Sequence, residues 1–232
     1  MLDLAPIRAL SFDLDDTLWP IVPTIVRAEE MLLDWLQQHA PATAALYATP
    51  AALRAIRVQM DTLRPDLRHD LSAMRRESIR LALQQAGNDP ALAEPAFDVF
   101  FAARQQVVLY ADVAPALERL VRRYPLVALS NGNADIVRVG LGAQFAAAVS
   151  ATQFGVAKPD PRIFHEAARQ LALPASAVLH VGDDVATDVL GAHAAGMQAV
   201  WVNRTRTAWP HADRPAPPHV ADLAALCTLL EV

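Results

Sequence analysis

Cysteine is almost missing from this chain: Cys227 is the only one in 232 residues. A single cysteine permits no intrachain disulfide and cannot hold a structural zinc site, so neither cross-links nor a thiolate metal core can carry the fold. An apolar run long enough to span a bilayer is missing too, and residues 1–17 show no basic segment leading into an apolar one. A soluble, cytoplasmic protein with no membrane partner is expected. Positive charge is also short. The formal charge is −5, which argues against sequence-independent nucleic-acid binding, because that affinity scales with the number of phosphates neutralised. No internal repeat or low-complexity tract appears. "VGLG" around Gly140 follows a helical stretch and lacks the last glycine of a dinucleotide loop. A calcium loop counted from Asp13 fails as well, with no glycine at the sixth position and Thr24 at the twelfth.

What is present is a core-forming chain: 53% hydrophobic residues against 19% charged, rich in Ala and Leu, as helical layers require. From residue 107 onward, helix patterns alternate with short apolar strands. "VAPALERLVRRYPLVALSNG" gives a helix with Val113, Leu117, Leu120 and Val121 on one stripe, then a buried strand over 126–129. "PDPRIFHEAARQLAL" is a helix capped by Asp160, and "SAVLHVGD", "VATDVLGAHAAG" and "MQAVWVN" read strand, helix ended by Gly196, strand. That alternation predicts a mostly parallel sheet covered on both faces. Residues 20–106 break it with helices only. One stripe runs through Ile25, Ala28, Leu32, Trp35 and Leu36, another through Leu53, Ile56, Met60 and Leu63. An α/β core of 1–19 and 107–232 with an inserted helical cap of 20–106 is expected. The tail "TRTAWPHADRPAPPH" reads as loop before a closing helix. Residues 54–80 carry seven Arg against four acidic residues, either a solvated helix face or an attractor of anionic substrate.

Four stretches follow, or nearly follow, predicted strands: "FDLDDT", "LSNGN", "VAKPD" and "HVGDDVATD". In a parallel sheet the carboxyl ends of the strands share one edge, which gathers Asp13, Asp15, Asp183, Asp184 and Asp188 near Ser130, Asn131 and Lys158. Clustered carboxylates raise one another's pKa unless cations neutralise them, and oxygen-only ligation favours a hard cation, Mg²⁺ with a phosphorylated substrate above all. Ser130, Asn131 and Gly132 can donate to anionic oxygens. The spacing of Asp13 and Asp15 lets one carboxylate attack phosphorus while the other exchanges protons with the leaving oxygen and with water. Asp16 is not needed and caps the following turn. Among single residues, Trp19 is either a stacking wall over a flavin or pyrimidine or packing at the cap hinge. His69, Asp70, Arg75 and Arg76 either meet the leaving group or decorate a helix, and Asn133 either tightens a turn or touches substrate. His180 and Cys227 read as packing residues.

With "DxDxT" met by Asp13, Asp15 and Thr17, a following Ser130, Lys158, and the acidic pair Asp183 and Asp184, the chain resembles the haloacid dehalogenase superfamily. That resemblance implies a three-layer α/β core with strand order 5-4-1-2-3 and a helical cap after the first strand. It implies Asp13 as nucleophile and metal ligand, Asp15 as acid/base that also offers its carbonyl to Mg²⁺, and Asp183 as the further metal ligand. Ser130, Asn131 and Lys158 would hold phosphoryl oxygens, with Thr17, Asp184 and Asp188 one layer further out. True dehalogenases of the family have no acid at the place of Asp15, so dehalogenation is disfavoured. The stretches "LSFDLDDTLWP", "LRHDLSAMRRESI" and "LHVGDDVATDVLGAHAAGMQAVWV" are similar to bacterial phosphatases of flavin mononucleotide and of 5-amino-6-(5-phospho-D-ribitylamino)uracil, a riboflavin precursor. A phosphomonoester hydrolase on a small phosphorylated metabolite, monomeric or weakly dimeric, is the expectation. A phosphomutase, a pyrimidine nucleotide or sugar phosphatase, and a non-catalytic phospho-ligand binder are the alternatives.

Overall fold

In the computed structural model, which describes residues 2–232, the first strand, β1 (Ala9–Phe12), is buried at all four positions. A strand with both faces covered cannot alternate polar and apolar, which is why "ALSF" reads as an unbroken buried run. The chain divides into two compact units, residues 1–20 with 109–232 and residues 21–108.

The second unit is helical: α1 (Ile21–His39), α2 (Pro41–Leu46), α3 (Pro50–Leu63), α4 (Leu71–Gln85) and α5 (Ala93–Arg104). The stripe residues Ala28, Leu32 and Leu36 pack with Leu53, Ile56, Ile79, Phe97 and Phe100 in one core, Ile25 and Trp35 at its margin. Leu63, the last residue of α3, is exposed instead of closing its stripe. Six arginines of the basic stretch form ion pairs within the unit. Arg54 and Arg75 converge on the fully buried Glu29, Arg57 pairs with Asp61, Arg64 with Asp66, and Arg76 and Arg80 with Glu94.

The first unit continues with α6 (Val113–Leu120), β2 (Leu126–Ser130), β3 (Ala147–Ser150), α7 (Ala151–Phe154), α8 (Pro161–Gln170) and β4 (Val178–Gly182). A π-helix (Val185–Leu190), α9 (Gly191–Ala194), β5 (Gln198–Val202), β6 (His219–Val220) and α10 (Leu223–Leu229) complete it. The strand order is β3-β2-β1-β4-β5-β6, and every strand pairing is parallel. The predicted order 5-4-1-2-3 is therefore present with one strand added at the β5 edge. That strand falls at the end of the stretch read as loop and has only two residues, with Val220 buried and His219 exposed, too short to leave a pattern. Val121 lies beyond the end of α6 and is 40% exposed, and Ala116 takes its place on the buried stripe.

Asp160 caps α8 by accepting from the Arg162 N–H at 2.9 Å, with Pro161 in the first turn. Its buried face, Ile163, Phe164, Ala167 and Ala168, meets Val127 and Leu129 of β2 and Val178 of β4. A fully buried phenylalanine such as Phe164 contributes roughly 1.5–3 kcal/mol. The segment read as one helix after β4 is a π-turn followed by a single α-turn, a local widening that carries Asp188. Because all strands are parallel, the residues after β1, β2 and β4 leave the sheet at the same edge.

Candidate active site

The first loop at that edge begins with Asp13, whose N–H still donates to Val181 of β4 at 2.9 Å. Leu14 turns back into the core, and the chain then makes a tight reversal. Asp16 adopts a left-handed backbone (φ 60°) and its N–H donates to the Trp19 carbonyl at 2.7 Å, so this residue forms the turn with its main chain. Trp19 returns beside Asp15 in an isolated parallel bridge and donates its indole N–H to Asp15 Oδ1 at 2.8 Å. Thr17 faces the other way and donates its hydroxyl to Asp183 Oδ1 at 2.9 Å, joining the loops after β1 and β4.

Lys158 lies between two carboxylates, with Nζ 2.5 Å from Asp13 Oδ1 and 2.6 Å from Asp188 Oδ1, all three groups buried. Its main chain is held by Asn131, whose amide accepts from Lys158 N–H at 2.7 Å and donates to Lys158 O at 3.0 Å. Both ends of the Asn131 side chain are thus engaged by the Lys158 backbone. Ser130 Oγ accepts from Gly132 N–H at 2.9 Å, which leaves its hydroxyl hydrogen available to donate. Asn133 sits half-buried on the same loop. Asp188 also accepts from the Asp184 N–H at 2.9 Å and from His180 Nε2 at 3.2 Å. The other ring nitrogen of His180 takes the Ser11 hydroxyl at 3.1 Å, which requires the Nε2–H tautomer. Gly182 makes room for all of this: a Cβ there would lie 2.3 Å from Asp188 Cγ. Asp184 is exposed and accepts from Thr187 N–H at 2.7 Å, capping the turn while Asp188 faces inward.

One ammonium serves three carboxylates here, since oxygens of Asp13, Asp183 and Asp188 lie within 4.8 Å of one another. Burial pushes the Asp13 carboxyl well above the usual range; Lys158 pulls it back, and Asp188 and Asp183 add repulsion. Burial and Asp188 raise Asp183 to about 7, against the opposing hydrogen bond from Thr17. Asp188 goes the other way: burial opposes its ionisation, but Lys158 and His180 outweigh it. Burial disfavours the Lys158 ammonium, yet Asp13 and Asp188 keep it firmly protonated. Burial lowers the pKa of His180 and keeps the ring neutral. Burial and mutual repulsion make ionisation of Asp13 and Asp183 costly; a divalent hard cation bound by oxygen donors would relieve that cost, and the cluster fits Mg²⁺.

The structure therefore joins Asp13, Thr17, Lys158, Asp183 and Asp188 in one cluster, with Asn131 gripping the Lys158 backbone, Asp15 on the first loop and Ser130 at the end of β2 on the same sheet edge. The remaining candidates are placed otherwise. Trp19 has no exposed surface, so it offers no face for stacking and instead binds Asp15. Within the helical unit Asp70 caps α4 through the Ala73 N–H at 2.9 Å, and His69 precedes it half-buried. Arg75 binds Glu29 and lies over the Phe100 ring, while Arg76 binds Glu94 and lies over Phe97. Two residues escape a sequence reading: His180, which looks like core packing, and Arg204. The Arg204 guanidinium donates to Thr17 O at 2.9 Å, pairs with Asp112 at 2.9 Å and covers the Tyr110 ring. "WVNR" after the last long strand is the only signal for it, and nothing in it points to Thr17.

Comparison with known proteins agrees with this geometry. Residues 7–196 match the haloacid dehalogenase-like hydrolase family. The chain is 36% identical over 203 residues to the 5-amino-6-(5-phospho-D-ribitylamino)uracil phosphatase YigB of Escherichia coli K12, covering 86% of this chain and 84% of that one. It is 31% identical to the glyceraldehyde 3-phosphate phosphatase of Methanopyrus kandleri, over 85% and 84% of the two chains. The crystal structure of a 2-haloacid dehalogenase from Pseudomonas syringae pv. tomato DC3000 superposes with a TM-score of 0.87 at 39% identity, over 97% and 98% of the chains. With its parallel core, inserted helices and carboxylate cluster suited to Mg²⁺, the chain belongs to the haloacid dehalogenase-like hydrolases, as a phosphatase of that family.

Proposed function

We propose that the protein hydrolyses a small alkyl phosphomonoester through a covalent phosphoryl group on Asp13. The observation that carries this reading is the Asp13–Lys158–Asp188 chain, with Nζ 2.5 Å and 2.6 Å from the two carboxylates. It presents a carboxylate nucleophile beside a fixed cation able to hold phosphoryl oxygens. Asp13 Oδ attacks phosphorus, the bond to the leaving oxygen breaks, and Asp15 passes a proton to that oxygen. Water then attacks phosphorus, giving its proton to Asp15 and returning Asp13. Ser130 and Lys158 hold the phosphoryl oxygens, and Asn131 holds Lys158. Asp13, Asp183 and the Asp15 carbonyl would hold Mg²⁺, which when bound neutralises the negative charge crowded at the site. The likeness to YigB over most of both chains favours the ribitylamino-uracil phosphate or flavin mononucleotide as substrate.

A second reading, halide displacement from a 2-haloacid, rests on the 39% identity to the Pseudomonas protein. Asp15 weighs against it, because a departing halide needs no proton. The cap arginines weigh against a mutase with a second phosphate site there, since Arg75 and Arg76 are already engaged in ion pairs with Glu29 and Glu94. The test is to incubate the protein with Mg²⁺ and flavin mononucleotide, the ribitylamino-uracil phosphate, 4-nitrophenyl phosphate and 2-chloropropionate. Free phosphate from the phosphate esters, with no chloride, is expected, and Asp13→Asn should abolish it while leaving the circular dichroism spectrum intact. Chloride release without phosphate release would replace the phosphatase reading by the dehalogenase one.

A further inference from the structure

We infer that Trp19 is a positioning residue for Asp15 that fixes the orientation of its carboxyl group. The inference rests on the reading of Asp15 as acid and base. An indole N–H can only donate, so the 2.8 Å contact to Asp15 Oδ1 has one polarity, with Oδ1 the acceptor whether Asp15 is charged or neutral. In a neutral Asp15 this contact favours the proton on Oδ2, because the carbonyl oxygen of a carboxyl group is a better acceptor than its hydroxyl oxygen. The contact is built into the loop and not left to a mobile side chain. Asp16 in the left-handed region reverses the chain, its N–H closes on the Trp19 carbonyl at 2.7 Å, and the Asp15–Trp19 bridge fixes the two backbones side by side. The indole itself has no exposed surface, so it cannot swing out to serve as a substrate platform. Its role is to hold the carboxyl in the orientation that delivers a proton from Oδ2 to the leaving oxygen as the Asp13–phosphorus bond forms, and that later takes a proton from water.

Proton delivery matters for an alkoxide leaving group and little for a good aryl one, so the two substrate classes separate positioning of Asp15 from general damage. The experiment measures kcat/KM, which covers the steps through leaving-group departure, for flavin mononucleotide and for 4-nitrophenyl phosphate. Wild type, Trp19→Phe and Asp15→Asn are compared. Trp19→Phe should lower the alkyl value at least about tenfold more than the aryl value, as expected for partial loss of a general acid whose full contribution is of order 10²–10⁴. Equal loss on both substrates, or none, with Asp15→Asn inactive on the alkyl ester, overturns the Trp19 role and leaves the Asp15 reading standing. Alkyl turnover surviving in Asp15→Asn overturns the Asp15 reading itself. Aryl turnover in Trp19→Phe reports that the variant is folded. Should it be absent, benzothienylalanine at position 19 keeps the bicyclic shape, removes only the N–H, and must show the same split.

Discussion

Lys158 shows at the scale of one residue how the cluster is held. Its ammonium is buried and compensates two buried carboxylates, Asp13 and Asp188. Removing one partner of a buried ionic set leaves uncompensated charge at a cost of roughly 3–5 kcal/mol. Lys158→Met should therefore lower the unfolding free energy by about that much at neutral pH, as well as abolish phosphate release; urea denaturation in chelator measures it. An unchanged unfolding midpoint would mean that Lys158 is not the counter-charge of the pair. The residue was legible in sequence from "KP" in its order among the other motifs, but its three-way engagement was not. That depends on Asn131, which is 27 residues away along the chain and grips its backbone.

At the scale of elements, the strand-to-helix passage after β4 is the part that places charge. Regular helix would follow from "VATDVLGAHAAG", yet residues 185–190 form a π-turn. That turn presents Asp188 over Gly182, where Lys158, His180 and the Asp184 N–H all reach it. A methyl group at residue 182 would lie 2.3 Å from Asp188 Cγ and 2.4 Å from its Oδ2, separations no side chain tolerates. Gly182→Ala should displace Asp188 and with it Lys158. The expected cost is about 1–3 kcal/mol in stability from overpacking and on the order of 10²-fold in kcat/KM from misplacement of the site. Urea denaturation alongside phosphate release on one preparation checks both, and wild-type turnover would show that Asp188 need not lie where it does. The glycine stands in plain view in "HVGDD", but its necessity appears only once Asp188 is seen folded back over it.

For the whole molecule, the excess of carboxylates over cations sets a pH dependence with a definite sign. Asp183 titrates near 3.8 in the unfolded chain and at about 7 in the metal-free fold. Between those values the folded state binds more protons, so this contribution makes stability fall as pH rises through the window. Mg²⁺ binds the deprotonated carboxylates, and its stabilisation should grow over the same window. Melting temperatures in chelator should decline from the acid end toward neutrality on this account, while the increment from added Mg²⁺ increases. Differential scanning fluorimetry at matched ionic strength measures both, and a Mg²⁺ increment independent of pH would exclude Asp183 from the metal site. Among the described residues no helix is long and apolar enough to cross a membrane.

Local pattern determined most of the architecture. Buried runs and helical stripes separate an α/β core from an all-helical insertion, because hydrophobic periodicity is written directly into adjacent residues. Short motifs after strands likewise determined that Asp13, Asp183 and Asp188 share an edge, because parallel strands bring their carboxyl ends together; Lys158 reaches that edge from the loop between α7 and α8. Tertiary structure alone decided what those groups do to one another. The indole of Trp19 on Asp15, His180 under Asp188, Arg204 on Thr17 and the pairing of Arg75 and Arg76 with Glu29 and Glu94 are all contacts between side chains whose direction no local pattern sets. For the cap arginines, which by chemistry alone could either meet substrate or decorate a helix, the decision falls to carboxylate partners whose proximity only the folded chain creates.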